Sequence, residues 1–113
     1  MDASSFAHAA DRAMDRIEDL LGDLDSARLD VERPAAGVLT LTFADRSKCV
    51  LNMQKPARQL WLAYGATAWH FAQSEGSQEW RDIRKPELEL YDVLGQLVMD
   101  CASLAVDWGS SGS

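Results

Sequence analysis

The stretch Val38-Leu39-Thr40-Leu41-Thr42-Phe43 alternates apolar and small residues without a break. Leu39, Leu41 and Phe43 share one parity while Val38, Thr40 and Thr42 take the other, the period-two signature of a strand with one face on a core. After a turn at Asp45-Arg46-Ser47 the pattern resumes, with Cys49, Leu51 and Met53 continuing the inward set and Val50, Asn52 and Gln54 the outer one. Pro56 has no N–H to give a ladder and interrupts the pairing. Leu60 and Leu62 then return to the inward parity, which assigns Gln59 and Trp61 to the outer face. A tryptophan is therefore expected on the polar side of a sheet, among the amides of Asn52, Gln54 and Gln59.

Outward from this sheet, the N-terminal segment changes period. Phe6, Ala10, Ala13, Ile17, Leu20, Leu21 and Leu24 recur at three- and four-residue steps, which predicts an amphipathic helix from Ser5 to Leu24 with Ser4 or Ser5 as its cap. A short strand at Leu29 to Glu32 and a turn at Arg33-Pro34-Ala35-Ala36-Gly37 lead into the strand already described. Trp69-His70-Phe71 and Glu79-Trp80-Arg81 read as two further short strands, with Trp69, Phe71 and Trp80 as packing residues. Pro86 is expected to open a second helix with the stripe Leu90, Leu94, Leu97, Cys101 and Leu104. Two one-sided helices and a half-polar sheet bury all their apolar surface only if both helices lie on the same sheet face. The expected fold is thus α+β: a two-layer sandwich of two terminal helices on one face of an antiparallel sheet of about five to six strands.

The chain has 113 residues, 47% of them hydrophobic, enough for one core and one domain over residues 1–108. Gly109-Ser110-Ser111-Gly112-Ser113 reads as a flexible tail, vector-derived in composition. No apolar run approaches the roughly 20 residues of a membrane span, and the N-terminus lacks the basic start and apolar block of a signal peptide. A cytoplasmic protein is the expectation. Cys49 and Cys101 both sit in apolar patterns, which predicts reduced core thiols instead of a disulfide or half a zinc site. Eighteen acids against eleven bases give a net charge of −7, which disfavours nucleic acid and anionic membrane as partners and favours cations and basic protein surfaces.

Two surfaces carry the chemistry. At about 100° per residue, with Ile17 toward the core, Asp11, Asp15, Glu18 and Asp19 fall in one band on the far side of the first helix, with His8 among them. Asp23 and Asp25 extend the band, and Asp30 and Glu32 follow on the next strand. Asp11, Asp15 and Asp19 repeat at four-residue steps, where like charges cost a few tenths of a kcal/mol per pair. The bland reading is a solvated face offset by Arg12 and Arg16. The other is a cation-binding ridge whose hold on any metal is weak, because side chains radiating from one helix cannot converge on a full shell. On the sheet, Asn52, Gln54, Gln59 and Trp61 have the composition of a protein-interface anchor. His70 shares the outward parity and receives no role. Neither a phosphate loop, a nucleophile with a partnered base nor a metalloenzyme ligand spacing is present in the sequence, so no catalytic residue is assigned.

From Phe6 to about Leu104 the chain resembles the frataxins, in their bacterial form. The resemblance rests on the acidic first helix, Gly37 to Phe43, Ser47-Lys48, the pattern Asn-x-Gln-x-Pro-x-x-Gln-x-Trp-Leu-Ala at Asn52 to Ala63, His70-Phe71, Glu79-Trp80 and a closing helix. Departures fall mainly in turns: Pro34-Ala35-Ala36-Gly37, Asp45-Arg46-Ser47 and Ala66-Thr67-Ala68 differ from the usual asparagine and glycines, and Ser26-Ala27-Arg28 interrupts the acidic run. The resemblance implies an iron-binding regulator of iron–sulfur cluster assembly that docks on the cysteine desulfurase and the scaffold protein. It also implies ferrous or ferric iron held through surface carboxylates, with a bacterial cytoplasmic setting. A monomer is expected without metal. The alternatives are a metal-independent adaptor of the same machinery and an iron-oxidising or iron-storage protein.

Overall fold

A computed structural model describes residues 2–74 and 76–109. Among these residues the elements run α1 (Ala3–Gly22), β1 (Leu29–Ala35), β2 (Val38–Phe43), β3 (Lys48–Gln54), β4 (Gln59–Tyr64), β5 (Thr67–Gln73), β6 (Trp80–Asp82) and α2 (Leu90–Ala102). The strands form one antiparallel sheet in sequence order, β1-β2-β3-β4-β5-β6. The alternation of β2 is borne out, with Leu39, Leu41 and Phe43 buried together with Cys49, Leu51, Leu60, Leu62 and Phe71 of the following strands. Phe6, Met14, Ile17 and Leu21 of α1 and Leu90, Leu94 and Val98 of α2 complete one core between the helices and the sheet. The two-layer arrangement is the expected one, with six strands. No helix among the described residues is long and apolar enough to cross a membrane.

Several boundaries differ from the sequence expectation, each for a local reason. Helix α1 starts at Ala3, because Asp2 and not Ser4 or Ser5 caps it: the Asp2 carboxylate accepts from the Ser5 N–H at 2.7 Å. It ends at Gly22, short of Leu24. Strand β1 runs on through Arg33, Pro34 and Ala35, and the turn shrinks to Ala36-Gly37, where Gly37 takes φ +80°. Proline is tolerated there because β1 is an edge strand and the register shifts between Glu32 and Ala35. Strand β6 is offset by one residue, covering Trp80 to Asp82.

Pro86 does not open α2. It lies in a turn closed by the Asp82 N–H donating to the Leu88 carbonyl (3.0 Å) and by the Leu88 N–H donating to the Lys85 carbonyl (2.9 Å). The helix starts only at Leu90, where buried Glu89 caps it. Glu89 accepts from the Tyr91 N–H at 2.9 Å and from the Trp80 N–H at 3.1 Å, fastening α2 to β6. The buried stripe of α2 is Leu90, Leu94, Val98 and Ala102. Leu97, Cys101 and Leu104 are only partly buried, because the face of α2 turned to the core carries Val98 and Ala102 in their place. After α2 the chain turns at Ser103 (φ +57°) and returns along the helix, placing Trp108 5.0 Å from the Tyr91 ring. Trp108 thus belongs to the packed body, while residues 110–113 of the expected tail lie outside the described residues.

Candidate functional site: a sheet face and an acidic ridge

The outer face of the sheet is built by register. Asn52 of β3 pairs with Trp61 of β4, and Trp61 pairs with His70 of β5, so the three side chains stand in one row. Gln54 and Gln59 form the adjacent pair on the same face. Trp61 is not free in solvent but half-buried. Its indole stacks on the His70 ring with centroids 4.2 Å apart and planes 11° from parallel, and its Nε1–H donates to Gln59 Oε1 at 2.8 Å. The expected outward parity holds, and the full exposure that parity alone suggests does not.

The row is also held from behind. The His70 N–H donates to a carboxylate oxygen of buried Asp82 at 3.1 Å, and the Ile83 N–H donates to the His70 carbonyl at 2.9 Å. Asp82 accepts as well from the Lys85 N–H at 3.1 Å, so the turn after β6 and the row share one anchor. Trp61 therefore presents an indole fixed in one rotamer, which lowers the entropy lost when a partner covers it. Sequence reasoning left His70 without a role. The missed signal is the turn Gly65-Ala66, whose Gly65 takes φ +59°, a conformation open to glycine and strained for other residues. With Tyr64 paired to Thr67 across that turn, Trp61 must face His70.

The acidic ridge is a different construction. Asp11, Asp15 and Asp19 are exposed on α1, Glu18 is half-buried, and Asp23 and Asp25 are exposed beyond its end. The cation that meets them is neither Arg12 nor Arg16. Arg33 of β1 donates from one Nη1 to Asp15 at 2.6 Å and to Glu18 at 3.2 Å. Leu29, Val31 and Arg33 share the inward parity of β1, so at the sheet edge Arg33 points to the helix side, as inward charges on edge strands do. The sequence reading spent Arg33 on a turn and could not see this pairing. Asp15, with Glu18 and Asp11 further off, holds the Arg33 guanidinium above its ordinary pKa. Arg16 instead lies over the Tyr91 ring, 4.9 Å from its centroid, and Arg28 pairs with Asp25 at 3.6 Å.

The donor set tests how iron could be held. Carboxylate oxygens suit a hard cation. Yet among the described residues no three His, Cys, Asp or Glu side chains converge as a metal cage, and Arg33 already occupies two of the six acids. The ridge fits a weakly held, largely hydrated cation and not a closed centre. Thiols do not add to it: both cysteines are free, and burial pushes the Cys49 thiol up to about 12. The two surfaces adjoin at one end, where Asp11 of α1 and Gln54 with Lys55 and Pro56 line a common cleft of 330 Å³.

Comparison with known proteins agrees with this architecture. Residues 1–103 match the family model of the frataxin-like domain. An iron-sulfur cluster assembly protein CyaY from Dechloromonas aromatica is 39% identical over 106 residues, covering 94% of this chain and 97% of that protein. Its counterpart in Vibrio cholerae is 34% identical over 109 residues, covering 96% and 99%. Among solved structures, frataxin from Psychromonas ingrahamii superposes with a TM-score of 0.86 at 26% identity, over 97% of this chain and 100% of that one. Trimeric frataxin from Saccharomyces cerevisiae, solved as a ferrous complex, gives 0.72 at 31% identity, over 85% and 87%. The chain belongs to the frataxin-like family.

Proposed function

We propose that this protein regulates iron–sulfur cluster assembly by docking on the cysteine desulfurase and the scaffold protein, with iron bound weakly at the α1 ridge. The observation that carries the reading is the fixed Trp61–His70 stack beside Gln59 and Asn52, on the sheet face that the helices leave open. A rigid aromatic set among amides is the usual make-up of an interface hot spot. The names of the CyaY relatives supply the process, cluster assembly. The ferrous complex of the yeast protein supplies the metal.

The geometry supports a division of labour. The acidic ridge attracts a basic surface of the desulfurase and speeds encounter. The Trp61 face makes the short-range contact with the scaffold or its neighbour. Iron at Asp11, Asp15, Glu18, Asp19, Asp23 and Asp25 would lower the ridge's charge and so change its affinity for the basic partner. Iron level thereby reaches assembly rate without a chemical step on this protein. We take residues 1–108 as the working unit, monomeric without metal and cytoplasmic.

A second reading, the metal-independent adaptor, is favoured by the Arg33 bridge, which neutralises part of the ridge before any cation arrives. Reconstituted cluster assembly with desulfurase and scaffold, run with and without added ferrous iron, separates the two. The regulator gives a saturable rate change whose size depends on iron. A rate change of equal size at every iron level would establish the adaptor, and multiple-turnover iron oxidation by the isolated protein would overturn both.

A further inference from the structure

A groove of 360 Å³ lies between α2 and β5, and none of the α1 ridge acids lines it. It exists because β6 is short. Its three residues pair only with Phe71, Ala72 and Gln73, so the Trp69 end of β5 has no strand beyond it. Trp69, of inward parity, forms the floor with Leu88, Val93 and Leu97. All four are half-buried, an apolar strip that stays open. The rim is acidic: Glu87, Asp92 and Asp100 are exposed around it, and no lysine or arginine lines it. Gln96 donates to Asp100 Oδ1 at 2.8 Å, fixing that carboxylate at the groove's edge.

Among the described residues, the segment after α2 does not cover this strip. Trp108 lies at Tyr91 and Gly95, where a Cβ added to Gly95 would come within 3.3 Å of the indole nitrogen. At about 100° per residue, Tyr91 and Gly95 face away from Val93 and Leu97 across the helix. A second copy is disfavoured by self-repulsion, since each chain carries a net charge of −7.

The geometry points to a docking groove for a partner segment that is both basic and apolar, a peptide whose leucine-like side chains seat on Trp69, Val93 and Leu97 while flanking lysines or arginines meet Glu87, Asp92 and Asp100. Apolar burial supplies the affinity and the acidic rim selects against acidic segments. The groove is independent of iron and of the Trp61 face, so it stands or falls separately from the function proposed above.

The test is a nuclear magnetic resonance titration of the full chain with a short amphipathic peptide of leucine and lysine, and with its leucine and glutamate counterpart. The lysine peptide is expected to shift the Trp69 indole and the Val93 and Leu97 methyl signals, leaving the Trp61 indole unmoved. The glutamate peptide shifts none of them. Asp92→Lys with Asp100→Lys, both exposed positions, is expected to weaken the lysine peptide about fivefold or more, with an unperturbed Trp61 signal reporting an intact fold. Equal binding of both peptides, unchanged affinity in the charge-reversed variant, or shifts confined to Asp11, Asp15 and Asp19 would each overturn the proposal.

Discussion

The sheet face and the α1 ridge are both polar, both outward and both on the same small body, yet they are built oppositely. On the sheet, register sets Asn52, Trp61 and His70 in a row, a stack of 4.2 Å and an indole hydrogen bond of 2.8 Å lock the ring, and buried Asp82 holds the row from behind. On the ridge, the carboxylates radiate from one helix and Arg33 from a neighbouring strand is their main tether. The first surface is preorganised and acts at contact distance. The second is a field, screened over about 8 Å at physiological salt. Under the proposed function, this construction would separate finding a partner from holding it.

The largest effect expected is on the holding side. Trp61→Ala should weaken binding of the desulfurase or the scaffold by about 2 kcal/mol or more, roughly thirtyfold, as for a central anchor. Thermal unfolding of the variant should fall by only about 1 kcal/mol, the worth of one aromatic stack. A loss of several kcal/mol would place Trp61 in the core and collapse the distinction between the surfaces. His70→Ala sharpens the same point. It leaves the anchor in place but unfixed, and isothermal titration should read a binding loss of about 1 kcal/mol, the value of the stacked pair. Wild-type affinity in that variant would mean the stack is incidental.

On the ridge the effects are smaller and of a different kind. Replacing Asp11, Asp15 and Asp19 by asparagine removes repulsion at successive four-residue steps, so stability should hold or rise by a few tenths of a kcal/mol per pair. Ferrous affinity, read by competition with a chelating dye, should fall. The smallest change is Arg33→Gln. Freeing Asp15 and Glu18 from a pair that is partly exposed costs under about 1 kcal/mol of stability, and ferrous affinity should rise by a few-fold. Unchanged iron binding in both variants would move the cation off α1.

How much of this the sequence disclosed depends on the range of the interaction. Alternation from Val38 to Leu62 located the sheet face, because parity is a local property and a turn of known length carries it from strand to strand. The helix stripe located the ridge for the same reason. What parity could not disclose was the neighbour. Trp61 reads as outward, but its half-burial comes from His70, nine positions on, across a glycine turn. Asp15 and Glu18 read as a face offset by Arg12 and Arg16, because Arg33 resembles a turn residue beside Pro34. Only pairing β1 as an edge strand through Ala35 brings its guanidinium over the helix. Pro86 misled for a related reason: the cap that starts α2 is Glu89, chosen by a hydrogen bond to β6 and not by the proline rule.

The contrast between a fixed contact and a field is tested most directly by measuring partner binding against salt for three proteins in parallel: wild type, Trp61→Ala, and the Asp11, Asp15 and Asp19 to asparagine variant. With the purified desulfurase–scaffold complex as partner, Trp61→Ala is expected to lower affinity by the same factor at every salt concentration, leaving the slope against log salt unchanged. The ridge variant is expected to flatten that slope and converge with wild type at high salt, where exposed charges are screened. A Trp61→Ala deficit that vanishes at high salt, or a ridge deficit that persists there undiminished, would contradict the account.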